Sequence, residues 1–112
     1  MLQTNVIIKT SFSAIHRWKD CPLEAVDFLT NYHRHVFHVT VKIRVHHNDR
    51  DVEFIDKKNE INDFLRAHWD GKNCGDTSCE QFAQALITRF GAEYVSVFED
   101  DENGAEIFLV KE

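Results

Sequence analysis

His33 and His35 are separated by a single residue, Arg34. In an extended chain, which rises about 3.3 Å per residue, the two imidazoles leave the same face roughly 7 Å apart at Cα. From that spacing two ring nitrogens can converge on one ion at about 2.0 to 2.1 Å each. A third imidazole from His16 would leave one position of a tetrahedral ion open, the arrangement of a catalytic zinc site rather than a structural one. For the pair alone the commoner reading is an incidental one, since imidazole serves many polar roles.

The elements that must position these groups are legible around them. Residues 5 to 12, rich in β-branched and aromatic types and too short for a typical helix, predict a strand whose end delivers His16. From His33 to His47 the alternation is the strongest pattern in the chain. His33, His35, Phe37, Val39, Val41, Ile43 and Val45 share one parity, and a mostly polar set shares the other, as in a long half-buried strand. Between the two, the stretch from Leu23 to Asn31 after Pro22, the only proline, could form a turn of helix but shows no clear partner face and reads as a loop. Val52-Glu53-Phe54 reads as a short strand paired back on the long one.

Ile61, Phe64, Leu65 and His68 have the spacing of one helix face and predict a helix at about residues 56 to 67. Ser78 with Gln81 makes a capping box for a second amphipathic helix that runs to Gly91. Residues 94–98 and 106–110 read as strands joined by a turn over Asp101 to Gly104 with an Asn-Gly signal. Segregated strands and helices indicate an α+β fold: one domain over residues 1–112, a four-stranded antiparallel sheet and two helices on one face. The uncovered face and edges of such a sheet favour association with further copies.

Composition narrows the function. The formal charge is -6, from 19 acidic against 13 basic residues, and no basic cluster offsets it. No nucleic-acid partner is expected. No segment approaches the roughly 18 apolar residues of a membrane span, so no membrane association is expected and a cytoplasmic location is. Cys21, Cys74 and Cys79 are odd in number with no C-x-x-C pair, which fits free thiols in a reducing compartment.

Phe12-Ser13-Ala14-Ile15-His16-Arg17-Trp18, followed by His33-Arg34-His35 and a long alternating strand, resembles the 6-pyruvoyltetrahydropterin synthase and 6-carboxytetrahydropterin synthase family, whose pattern is F-x-A-A-H-R/K-L and then H-G-H. Val52-Glu53-Phe54 with Lys58 is similar to the family's hydrophobic-D-F-x-x-L-K segment. Asp76-Thr77-Ser78-Cys79-Glu80 is similar to its N-P-T-x-E, and Val97-Phe98-Glu99 to its strand ending in E-T. The resemblance covers most of the chain in order. It implies the tunnelling fold, in which such sheets join into a barrel as trimers stacked into hexamers. It also implies zinc held by His16, His33 and His35, and a pterin-type substrate whose amino-pyrimidine edge is gripped by Glu99. A carboxylate suits that role because it accepts two parallel hydrogen bonds from a ring N–H and an exocyclic NH2. Without the resemblance, Glu99 reads as a solvated acid in a run with Asp100, Asp101 and Glu102.

The chain departs from the family where protons move. The family's general base is a cysteine a few residues before H-G-H, but here the position four before His33 is Leu29 and the position six before is Asp27. Asp27 or Glu24 could supply a carboxylate instead, and Cys21 could serve only by an unusual loop path. Each is otherwise an exposed loop residue. The family's D-H pair is reduced to Ala67-His68, leaving His68 as an acid or base without an adjacent aspartate, or as a packed histidine at a helix end. The expected activity is a zinc-dependent lyase acting on dihydroneopterin triphosphate, yielding a 6-carboxy product on the deazaguanine (queuosine) route or a 6-pyruvoyl product. The alternative is a non-catalytic, metal-containing pterin- or purine-binding module, and a sibling activity such as an aldolase is the third possibility.

Overall fold

The computed structural model describes residues 1–111. Four strands, β1 (Thr4–His16), β2 (His33–Val45), β3 (Tyr94–Glu99) and β4 (Asn103–Phe108), form one antiparallel sheet in the order β1-β2-β3-β4. Two α-helices, α1 (Phe54–His68) and α2 (Cys79–Phe90), lie between β2 and β3 in the chain. Helix α1 packs on β1, and α2 packs across β3 and β4. The α+β class and the four-stranded sheet match the sequence expectation.

Alternation decides which face the helices cover. Ile8, Phe12 and Ala14 of β1, the odd residues Phe37 to Val45 of β2, and Val95 and Val97 of β3 are buried together with Ile61, Leu65, Phe82 and Leu86 of the helices. Phe12, Phe37 and Phe82 pack on one another with ring centroids 5.0 to 5.1 Å apart. Full burial of each such side chain contributes about 1.5 to 3 kcal/mol. The opposite face carries the other parity, and there Ile7, Val36 and Phe108 remain exposed.

Three local expectations are corrected. The stretch after Pro22 is a 3-10 helix over Glu24–Thr30 rather than a loop, interrupted at Val26. None of its residues is buried, so the absence of a partner face holds. Val52-Glu53-Phe54 is no strand. Glu53 caps α1, its carboxylate accepting from the amides of Ile55 and Asp56, and this local bond outcompetes strand pairing. The β3–β4 turn lies at residues 100–102, earlier than the Asn-Gly signal suggested, with Asp100 and Asp101 both at positive φ (51° and 59°). Asn103 and Gly104 belong to β4. Gly104 is required there for a different reason: a Cβ would meet the Val97 carbonyl oxygen and lie 2.6 Å from the Phe98 Cα. The Ser78–Gln81 capping box and the left-handed Gly91 cap of α2 are both present.

Candidate metal centre

Strand register assembles the histidines. β1 and β2 pair without interruption from Thr4↔Val45 to His16↔His33, so two of the three imidazoles are direct cross-strand partners and His35 stands one strand repeat away, opposite Ala14. All three project from the face on which Phe12 and Phe37 are buried. Their ring centroids lie 4.6 Å (His16–His33), 4.9 Å (His33–His35) and 5.6 Å (His16–His35) apart. One ring nitrogen from each lies within 4.8 Å of the others, so small ring movements suffice for one ion. Phe37, edge-on to His16 at 5.2 Å, forms the apolar floor.

Each imidazole is fixed through Nδ1. His16 Nδ1 lies 2.7 Å from the Thr77 carbonyl, His33 Nδ1 2.9 Å from the Asn31 carbonyl, and His35 Nδ1 2.6 Å from Asp100 Oδ2. A carbonyl only accepts, so Nδ1 of His16 and His33 must carry the hydrogen, and a carboxylate imposes the same on His35. In the neutral ring the lone pair then sits on Nε2, which is the arrangement that outer hydrogen bonds create for metal-binding histidines.

Glu99, opposite Phe37 in the β2–β3 register, brings its carboxylate against these nitrogens. Oε1 is 3.2 Å from His16 Nε2 and Oε2 3.4 Å from His35 Nε2. The buried His16 Nε2 nevertheless has no hydrogen-bond partner, the Glu99 oxygen being close but out of line. Lone pairs facing a carboxylate leave a pocket that wants a positive charge, and a divalent cation among neutral imidazoles supplies it. The donor set therefore fits zinc. The same field acts on protons. Burial alone would lower the His16 pKa, but the Glu99 carboxylate and the Thr77 carbonyl outweigh it and hold it above the ordinary value. His16 in turn, with smaller contributions from His35 and His33, keeps Glu99 ionised below the usual carboxylate range. Cys79 donates from Sγ to Glu99 Oε1 at 3.9 Å, and burial with the neighbouring acids pushes its thiol up to about 12. At neutral pH it is a donor and not a thiolate.

A cavity of about 490 Å³ opens beside this cluster, lined by His16 and His33 together with Glu99, Cys79, Trp18 and Leu29. That volume is in the range of small-molecule sites.

No protein-family model matches the sequence, and no curated relative does. Among solved structures, 6-pyruvoyl tetrahydropterin synthase of Caenorhabditis elegans superposes with a TM-score of 0.77 at 17% identity, covering 98% of each chain. An uncharacterized protein of Wolinella succinogenes superposes with a TM-score of 0.75 at 13% identity, covering 96% of this chain and 99% of that one. The chain has the tetrahydropterin-synthase fold. Its near-full coverage in both directions leaves no large insertion or deletion to explain the sequence divergence.

The proton-transfer candidates are not among the residues that line this cavity. Cys21 turns its thiol to the carbonyls of Leu23 and Val26, both at 3.8 Å. Glu24 and Asp27 lie exposed on the 3-10 segment. His68 is exposed at the end of α1, its ring stacked 4.4 Å from Phe64. Asp70, close to it in sequence, accepts from the Ser13 amide instead of orienting it. None of Cys21, Glu24, Asp27 and His68 lines the cavity, whereas Leu29, four residues before His33, does. Sequence reasoning passed over Asp100 and the thiol of Cys79. The acidic run from Glu99 to Glu102 concealed the first, although an aspartate where the related pattern has threonine was a usable signal.

Proposed function

We propose that the whole chain, residues 1–112, acts as one domain: a zinc-dependent lyase of pterin or deazaguanine biosynthesis, acting on dihydroneopterin triphosphate. One observation carries the reading: three imidazoles with their Nδ1 positions occupied converge beside a small-molecule cavity that also presents the Glu99 carboxylate. Similarity of fold to a 6-pyruvoyl tetrahydropterin synthase supports the substrate class. His16, His33 and His35 would hold the metal, which supplies Lewis acidity toward the substrate's side-chain hydroxyls when bound. Glu99 would accept from the ring N–H and exocyclic NH2 of the pterin, and its depressed pKa keeps it an acceptor at neutral pH. A base must remove a C–H proton from the side chain, and Asp27, Glu24, Cys21 and His68 are the groups available for it. None of these lines the cavity of a single chain, so the lyase reading is joined to a homo-oligomer, a trimer or hexamer in the family it resembles, in which a neighbouring copy brings one of them to the site.

A second reading is favoured by a specific observation. Aliphatic Leu29 occupies the cavity wall at one of the two sequence offsets where a cysteine base is expected. This favours a metal-containing pterin- or purine-binding module without proton-transfer chemistry. The deciding experiment is turnover of dihydroneopterin triphosphate by zinc-loaded protein. Turnover should fall by about 10²- to 10⁴-fold in Asp27→Asn or Glu24→Gln and persist in Cys21→Ala. Pterin binding without turnover in the wild type would establish the binding module instead.

A further inference from the structure

We propose that Asp100 is a positioning residue for the metal centre, one that sets the tautomer and orientation of His35 and thereby the affinity for zinc. The inference rests on the reading of His16, His33 and His35 as the zinc ligands.

Asp100 is bound to β2 at three points. Its amide donates to the Val36 carbonyl at 2.7 Å, Oδ1 accepts from the Val36 amide at 3.0 Å, and Oδ2 accepts from His35 Nδ1 at 2.6 Å. The carboxylate, half exposed, therefore addresses the backbone and the ring of adjacent residues of β2 at once. His16 and His33 are held by main-chain carbonyls, which no side-chain substitution removes. His35 is the one imidazole of the three whose Nδ1 partner is a side chain and carries a charge. A carboxylate behind the ring raises the basicity of Nε2 and fixes its direction.

The backbone makes an independent case. Asp100 and Asp101 are consecutive non-glycine residues in the left-handed region, with the Glu102 amide closing the turn on the Glu99 carbonyl at 2.9 Å. Two residues at positive φ are most easily supplied by Asn-Gly, and the chain has Asn103-Gly104 immediately afterwards but uses it inside β4. Aspartate tolerates this conformation better than most residues. At position 100 it also supplies what glycine could not, an acceptor for His35. Strain retained at a turn beside a ligand cluster is expected where the side chain is needed.

The test uses full-length protein and the metal alone. Zinc affinity is measured by competition with a chromophoric chelator for the wild type, Asp100→Asn and, as a control that loses the same charge one residue away, Asp101→Asn. Asparagine can place its oxygen at only one of the two positions that the carboxylate oxygens occupy; kept on the Val36 amide, it turns an NH2 donor toward His35 Nδ1, so Asp100→Asn should bind zinc about 10- to 100-fold more weakly. Asp101→Asn should match the wild type. In zinc-free protein, long-range ¹H–¹⁵N spectra of the imidazoles should show His35 as the Nδ1–H tautomer in the wild type and as a mixture in Asp100→Asn, with His16 and His33 unchanged. Equal affinities for wild type and Asp100→Asn, or an unchanged His35 tautomer, would overturn the role of Asp100 while leaving the zinc reading intact. A change in all three tautomers would also overturn it, by showing general disruption. A wild type that binds no zinc would overturn both.

Discussion

The histidine end of the sheet and the 3-10 segment Glu24–Thr30 are joined directly in the chain, yet they are built by opposite rules. His16, His33 and His35 stand on paired strands, each ring has a fixed Nδ1 partner, and Phe37 beneath them belongs to the core. The 3-10 segment has no buried residue, an internal interruption at Val26 and large apolar side chains in solvent, with Leu23 beside it and Phe28 within it 53% and 62% exposed. The geometry of the three imidazoles is thus fixed within one chain. Any catalytic geometry on the 3-10 segment must be fixed by something else, and a second copy covering those side chains is what the lyase reading needs.

Variants at the two regions should therefore behave differently. The largest effect belongs to the imidazoles proposed to hold zinc: His33→Ala or His35→Ala should reduce the expected one zinc per chain to a small fraction, because two imidazoles hold an ion far more weakly than three. Elemental analysis of protein purified without chelator reads this directly, and full zinc content in both variants would break the comparison at its stronger side.

An intermediate effect is expected at Glu99. Glu99→Gln removes a charge-assisted acceptor and turns a donor toward ligand groups that also donate. Pterin affinity should drop by roughly 1.5 to 3 kcal/mol, about 10- to 150-fold, while melting stays near the wild-type value. Calorimetric titration measures it, and an unchanged dissociation constant would make Glu99 a partner of the histidines alone.

The smallest effect is expected on the 3-10 segment. Leu23→Ser and Phe28→Ser should leave the stability of a lone chain within about 0.5 kcal/mol, since these side chains pack on little within it. Denaturant unfolding across a range of protein concentrations tests this. A large, concentration-dependent loss would show that another copy covers the segment, which would sharpen the proposal that the proton-transfer groups are completed by assembly.

Whatever depends on local chemistry and on period was legible in the order of residues alone. The two-residue alternation of β2 fixed which residues share the face of His33 and His35. The Ile61-Phe64-Leu65 spacing fixed the core side of α1, and Ser78 with Gln81 fixed the start of α2, because strand pleat, helix pitch and capping are all set within a few residues. Whatever depends on register between distant segments emerges first in the folded chain. The pairing of His16 with His33, the approach of Glu99 to two imidazoles, and the placing of Asp100 behind His35 each require strands separated by loops or helices to align at one residue and no other. A shift of one residue would turn every side chain to the opposite face. The turn was misplaced for the same reason: Asn103-Gly104 carries the stronger local signal, but close packing of Gly104 against Phe98 holds it in β4 and leaves the left-handed turn to Asp100 and Asp101.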